Sequence, residues 1–106
     1  MRVLRCVAML FACFTFLPLH AQDAPARVTI LYDAIGKAPA MKHGWGYSAL
    51  VEYAGRRILF DTGGDLDDFT SNVKTLGVDL TRLDFVVLTH RHGDHTSGLH
   101  HVLSSA

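Results

Sequence analysis

The six residues 90–95 constrain this chain more than any other feature of its sequence. They read His-Arg-His-Gly-Asp-His and follow an uninterrupted apolar run at 85–88, which is typical of a buried β-strand. Three histidines and one carboxylate therefore leave the end of a strand together, where the loop between a strand and a helix normally carries function. One histidine in a polar loop would be unremarkable, whereas this cluster indicates a metal-binding site.

The spacing predicts how the four side chains bind metal. Beyond the end of a strand, His90 and His92 project on the same side, so their imidazoles can bind one ion. We expect Gly93 to take backbone dihedrals that other residues resist, which turns Asp94 and His95 toward a second ion. Zn²⁺ accepts histidine nitrogen and carboxylate oxygen, and Mn²⁺ or Fe²⁺ are chemically acceptable.

The first 21 residues have the layout of a secretory signal peptide. Arg2 and Arg5 precede an apolar run at 6–19, and the small residue Ala21 follows. The run is too short for a stable membrane span, which needs roughly 20 residues. We therefore expect an extracytoplasmic protein, periplasmic or secreted, whose folded domain covers residues 27–106.

Composition limits the chemistry and the partners of the chain beyond this leader. Both cysteines and two of the ten basic residues lie in the leader, whereas all ten acidic residues lie after it. The rest of the chain therefore offers no disulfide and no thiolate ligand, and its formal charge is slightly negative. Without a basic patch, we expect a small-molecule substrate and no nucleic acid. The sequence does not define an oligomeric state.

The pattern of apolar residues predicts an α/β fold. Segments 27–32, 47–53 and 57–60 have the composition of strands, and Ala54-Gly55-Arg56 joins the last two in a hairpin. A helix is predicted where Phe69, Val73 and Leu76 recur at helical spacing before Gly77.

Two further elements are predicted around the metal motif. A strand buried on both faces is expected over 84–89. A second helix is expected to start with Thr96 as its cap, with Leu99, Val102 and Leu103 on one face. Because the sequence ends on this incomplete apolar helix, we interpret it as the N-terminal part of a longer domain.

Three motifs resemble the metallo-β-lactamase-fold hydrolases. The run 88–96 is similar to that superfamily's metal signature H-x-H-x-D-H, and Asp61-Thr62-Gly63 is similar to its strand-end Asp-Thr-Gly. His43-Gly44-Trp45-Gly46, with Gly77-Val78-Asp79-Leu80, resembles the branch that includes dihydropterin-linked aminobenzene-phosphate synthases. The resemblance covers residues 27–106 and implies the N-terminal part of a truncated αββα sandwich.

The resemblance also implies a role for each matching residue. His90 and His92 would bind the first metal, and Asp94 and His95 the second, with Asp94 also orienting the attacking water. Asp61 would be a buried group that steadies the ligand loop. The family adds further ligands from later strands, so we do not expect tight binding by this chain alone.

Other polar residues have competing interpretations. His43 and Trp45 lie in a glycine-rich loop that either touches substrate near the metal or is mobile, with the tryptophan packed on the sheet edge. His100 and His101 are expected to point away from the metal. The acidic residues at 65–68 lack the spacing of a calcium loop, so helix capping accounts for them better.

The implied function is that of an exported, zinc-dependent hydrolase, active as a full-length protein. A metal-activated hydroxide would attack an ester, lactone, thioester, phosphodiester or lactam. Two alternatives stay open: a synthase-like transferase that acts on a pterin-linked phosphate, and a non-catalytic metal-binding protein.

Overall fold

The computed structural model describes residues 25–106, so the predicted signal peptide lies outside the described range. Within that range the α/β class is confirmed. The strands are β1 (Arg27–Tyr32), β2 (Ser48–Tyr53), β3 (Arg56–Phe60) and β4 (Phe85–Val87). The helices are α1 (Leu66–Thr75), α2 (Gly93–Thr96) and α3 (Leu99–Ser105). None of the helices in residues 25–106 has the length and apolar character to cross a bilayer.

The four strands form one mixed sheet in the order β1-β2-β3-β4. The predicted hairpin joins β2 and β3, and its turn residues Ala54 and Gly55 have the positive φ angles that a tight hairpin turn favours. Strands β3 and β4 are parallel, and Phe60 pairs with Val87 at their carboxyl ends. The residues after Phe60 and after Val87 therefore leave the same edge of the sheet, side by side.

Helices α1 and α3 pack together beside the sheet and close its core. Helix α1 begins at Asp65, whose carboxylate accepts a 2.9 Å hydrogen bond from the Asp68 backbone N–H, as the capping interpretation predicted. Its Phe69 and Val73 point inward, as the periodicity predicted, whereas Leu76 is exposed. The buried apolar cluster consists of Leu31, Tyr32, Leu50, Leu59, Phe69, Val73, Leu80 and Val102.

A buried asparagine links α1 by hydrogen bonds to β1 and to the loop that follows β1. The Asn72 side chain is fully buried, and its amide donates to the carbonyls of Leu31 and Lys42, both at 2.8 Å. Its oxygen accepts a 2.7 Å hydrogen bond from the Lys42 N–H. The side chain thus satisfies three backbone groups that would otherwise lose their partners.

Replacing Asn72 with alanine is expected to lower the free energy of unfolding by about 1–3 kcal/mol, because buried backbone groups are left without partners. Chemical denaturation of the two proteins measures the difference. Lys74→Ala, on the exposed side of the same helix, is the matched control and is expected to change stability by less than about 0.5 kcal/mol. Equal effects of both substitutions would contradict this account of Asn72.

The prediction for β4 was wrong in length and burial. The strand covers three residues, and the side chains of Phe85, Val86 and Val87 are 63, 36 and 37% exposed. Among the described residues only β3 pairs with β4, at one edge of the sheet. An apolar run shows that a strand tolerates burial, but burial itself requires a covering layer.

The predicted start of the second helix was also wrong. Thr96 is the last residue of α2, and its hydroxyl donates to the carbonyl of His92. Helix α3 starts after Gly98, where a Cβ atom would lie 2.4 Å from the Thr62 carbonyl. This close approach lets Val102 reach the core, whereas Leu103 of the predicted apolar face is 65% exposed.

Candidate metal centre

The metal motif lies on a turn that is hydrogen-bonded on both of its flanks to the segment after β3. The Asp61 N–H donates to the Val87 carbonyl at 2.9 Å, which continues the parallel pairing of β3 with β4. Further along, Thr62 N–H donates to His95 O at 2.8 Å, and Ser97 N–H donates to Gly63 O at 3.2 Å. Backbone contacts of this kind fix the position of the ligand turn independently of its side chains.

A second backbone contact holds the ligand turn against the loop before β2. The Tyr47 N–H donates to the Asp94 carbonyl at 3.3 Å. Gly46, with φ +136°, approaches that carbonyl so closely that a Cβ atom would lie 2.1 Å from it. A Cβ on Gly64 would lie 2.0 Å from the Trp45 carbonyl. Three chain segments therefore meet at Asp94 with no space for a side chain between them.

Asp61 is the buried carboxylate at the centre of this arrangement. It is 1% exposed and has a positive φ of 52°, which a residue with a Cβ rarely adopts. Its own carbonyl accepts a 2.7 Å hydrogen bond from the buried Ser48 hydroxyl. The strand-end turn therefore directs the Asp61 carboxylate inward, under the ligand turn.

The Asp61 carboxylate accepts three hydrogen bonds, two from Thr89 directly before the motif and one from His95 within it. Thr89 donates its N–H to Oδ1 and its hydroxyl to Oδ2, each at 2.8 Å, and His95 Nδ1 lies 2.7 Å from Oδ2. Burial alone would raise the pKa of Asp61, but these donors outweigh it and hold the pKa below its usual value. The carboxylate is thereby kept ionised as an acceptor.

Three ligand atoms converge above Asp61. One from each of His90, Asp94 and His95 lie within 4.8 Å of one another. Because His95 Nδ1 donates to Asp61, its Nε2 keeps the lone pair, and that atom lies 3.4 Å from Asp94 Oδ2. Two ligands about 2.0–2.2 Å from a tetrahedral Zn²⁺ lie about 3.4 Å apart, so the His95 and Asp94 pair has the separation that the ion requires.

His92 lies beside this donor set rather than within it. Its ring is 4.7 Å from the ring of His90 in an edge-to-face arrangement, whereas the rings of His90 and His95 are 4.2 Å apart. The structure thus brings His90 of the first predicted ligand pair together with both residues of the second, Asp94 and His95, and the division between two ions stays a prediction. Gly93 does not adopt a positive φ, so the expected reason for a glycine there was wrong.

Two residues of the loop before β2, His43 and Trp45, line different cavities. Trp45 is 80% exposed and lines a cavity that Asp94 and His95 also line. His43 lines a different cavity, with Nδ1 3.1 Å from Asp33 Oδ1 and Nε2 3.2 Å from the Ala38 carbonyl. The Ala38 carbonyl and then Asp33 raise the pKa of His43 above its ordinary value. His43 is thus bonded within its own loop, and Trp45 is the loop residue beside the ligands.

Two histidines on α3 do not join the ligands. His100 is exposed, and the ring of His101 lies 6.3 Å from that of Phe69 in an edge-to-face contact. Sequence reasoning overlooked Thr89, whose hydroxyl lies 2.9 Å from His90 Nδ1 as well as 2.8 Å from Asp61. The signal for it was a hydroxyl residue directly before the first histidine.

The fold is α/β, and beyond the carboxyl ends of its parallel strand pair lies a cluster of His and carboxylate groups that could hold a metal ion. Residues 44–106, more than half of the chain, match the family model of the metallo-β-lactamase superfamily. The chain therefore belongs to this superfamily.

Two solved structures share the fold. A metal-dependent hydrolase of the β-lactamase superfamily superposes with a TM-score of 0.58 at 33% identity, over 71% of this chain and 26% of that one. A diphosphatase of the PhnP family gives a TM-score of 0.57 at 26% identity, over 76% of this chain and 36% of that one. The matched part therefore corresponds to about a quarter of the first chain and just over a third of the second.

Two curated relatives match over a shorter stretch. The 7,8-dihydropterin-6-methyl-4-(β-D-ribofuranosyl)-aminobenzene-5′-phosphate synthase of Methanocaldococcus jannaschii is 38% identical over 60 residues, 55% of this chain and 20% of that protein. The ribonuclease Z of Nanoarchaeum equitans is 40% identical over 58 residues, 55% of this chain and 17% of that protein. The chain thus spans about a fifth of their length. Because one relative is a ribonuclease, the expected exclusion of nucleic acid receives no support.

Proposed function

We propose that the protein is an exported, zinc-dependent hydrolase of the metallo-β-lactamase superfamily. The observation that carries the proposal is the convergence of His90, Asp94 and His95, with His95 Nε2 directed at Asp94 and its Nδ1 bonded to a buried carboxylate. A divalent ion in such a site supplies a nucleophile at neutral pH and polarises the substrate oxygen. Export is supported by the leader pattern of residues 1–21.

The donor residues have separable tasks in this proposal. His90 and His95 hold the ion, and the buried Asp61 keeps the ring of His95 in position. The Asp94 side chain is 27% exposed and lies at the cavity shared with Trp45, so it is accessible to substrate. Its carboxylate is placed to accept a proton from the attacking water and to return it to the leaving group.

The substrate class is an ester, lactone, thioester, phosphodiester or lactam. The name ribonuclease Z among the relatives supports the phosphodiester within this group. A second candidate is a synthase-like transfer on a pterin-linked phosphate, which is supported by the synthase relative with 38% identity. A protein that binds metal without turnover is the third.

Zinc stoichiometry and a hydrolysis panel distinguish these functions. We expect the full-length protein to bind zinc and to hydrolyse at least one of an RNA, a bis-phosphodiester, a lactone, a thioester and a β-lactam. Chelation is expected to abolish turnover, and added Zn²⁺ is expected to restore it. Bound zinc without any turnover would contradict the hydrolase and favour metal binding, whereas turnover restricted to a pterin-linked phosphate would favour the synthase.

Trp45 is expected to stack on an aromatic part of the substrate, because its exposed indole lines the cavity beside the ligands. An aromatic pair contributes about 0.5–1.5 kcal/mol beyond area burial, so Trp45→Ala should raise KM about 2- to 10-fold for an aryl substrate. KM for an alkyl substrate with the same reacting group should change less.

Steady-state kinetics on the aryl and alkyl pair measures this difference. Tyr53→Ala is the matched control, since Tyr53 is also an exposed aromatic side chain but lines a separate cavity with Arg56. We expect no change in KM for either substrate in that variant. Equal losses on both substrates in Trp45→Ala would show that the indole supports the loop rather than the substrate.

A further inference from the structure

We propose that the Thr89 hydroxyl relays the charge of Asp61 to His90 and so selects Nε2 of His90 as its metal-binding atom. The inference rests on the proposed metal site, and it makes Thr89 a positioning residue.

The relay follows from counting protons at one oxygen. Thr89 Oγ1 lies 2.8 Å from Asp61 Oδ2 and 2.9 Å from His90 Nδ1. A threonine hydroxyl has a single hydrogen to donate, and the geometry directs that hydrogen to Asp61 Oδ2. The hydroxyl oxygen is therefore left to accept a hydrogen bond from Nδ1–H of His90. With its proton on Nδ1, a neutral His90 keeps its lone pair on Nε2.

The threonine is itself held in the orientation that the relay needs. Its backbone N–H donates to Asp61 Oδ1 at 2.8 Å, so the carboxylate accepts hydrogen bonds from both the main chain and the side chain of Thr89. The β-branched side chain also has few accessible rotamers. Rotation of the Thr89 side chain that would move its hydroxyl away from His90 is therefore restricted.

The same carboxylate serves both histidines of the donor set. His95 donates from Nδ1 to Asp61 Oδ2 directly, at 2.7 Å, and His90 donates to it through Thr89. Both Nε2 atoms are thereby left for metal. The direct hydrogen bond to the Asp61 carboxylate also makes the His95 imidazole a more basic ligand. Within the described residues no side chain or carbonyl hydrogen-bonds the ring of His92, so the structure selects a tautomer for His90 and His95 only.

Nitrogen NMR of the histidine rings tests the relay without metal or substrate. The full chain is examined in its metal-free form, at a pH well above the ordinary histidine pKa of about 6.5. In the unmodified protein and in Thr89→Ser, which keeps the hydroxyl, we expect His90 and His95 to carry their protons on Nδ1. In Thr89→Val, which keeps the shape and removes the hydroxyl, His90 should shift toward the Nε2–H form, whereas His95 should not.

Metal affinity gives a second, independent measurement. Loss of a hydrogen-bonding partner to a ligand typically lowers metal affinity 10- to 100-fold, and we expect a drop in this range for Thr89→Val but not for Thr89→Ser. A metal-free His90 with its proton on Nε2 in the unmodified protein would overturn the relay, even if Thr89→Val did not fold. An unchanged His90 tautomer in Thr89→Val would also overturn it. Because the tautomer is measured without turnover, failure of the hydrolase assay would leave this result intact.

Discussion

Alanine in place of His90 is expected to lower zinc affinity more than 100-fold and to reduce turnover to the background rate. The loss of a group that only supports a ligand costs about 10- to 100-fold in affinity, and His90 is one of the three converging donors themselves. Its removal leaves Asp94 and His95 as the two donors of the set, and two fixed ligands hold Zn²⁺ poorly when about three are wanted. Zinc content by mass spectrometry, with a competition titration, measures the change.

His100→Ala is the matched control for this experiment. His100 lies in helix α3, is exposed, and takes no part in the donor set. The variant also replaces a histidine by alanine, but at a position outside the donor set. Its zinc content and turnover should therefore equal those of the unmodified protein. Unchanged zinc content in His90→Ala would contradict the site, and a loss in both variants would indicate damage to the fold.

The features that the sequence predicted correctly depend on local signals. The hairpin was identified from Ala54-Gly55 between two alternating segments, and both residues have the positive φ of a tight turn. Helix α1 was identified from apolar spacing and from the capping Asp65. The prediction that His90, His92, Asp94 and His95 are ligands also rests on a local pattern and stays a prediction, and the structure brings His90, Asp94 and His95 together.

The features that the sequence did not predict depend on contacts between distant segments. The exposure of β4 depends on which layers cover it, and residues 85–87 carry no information about such layers. The grouping of His90 with His95 depends on Asp61, which is 34 positions from His95. The role proposed for Thr89 depends on where the hydrogen atoms lie on the side chains of Asp61, Thr89 and His90. In each case the sequence gives the type of the residue, whereas the residue that it contacts is determined by the fold.

The glycines at the centre of the site lead to a second large effect. Gly64→Ala is expected to lower turnover about 100-fold, because displacement of a catalytic group by about 1 Å costs that much. A Cβ at position 64 would lie 2.0 Å from the Trp45 carbonyl and 3.3 Å from Asp94 Cα, so one of these segments must move. Overpacking of this kind also costs about 1–3 kcal/mol of stability, which thermal unfolding measures alongside the kinetics.

Gly93→Ala separates this steric effect from the general effect of adding a methyl group near the metal. Gly93 lies in the ligand turn itself, yet a Cβ there would meet only the Ser97 hydroxyl, at 4.0 Å. Since Gly93 is the first residue of helix α2, alanine should be tolerated or slightly stabilising. Turnover should stay within about two-fold, a difference of less than about 0.5 kcal/mol in the barrier. If Gly93→Ala lost as much turnover as Gly64→Ala, the close contact of Gly64 with Trp45 would not be what positions Asp94.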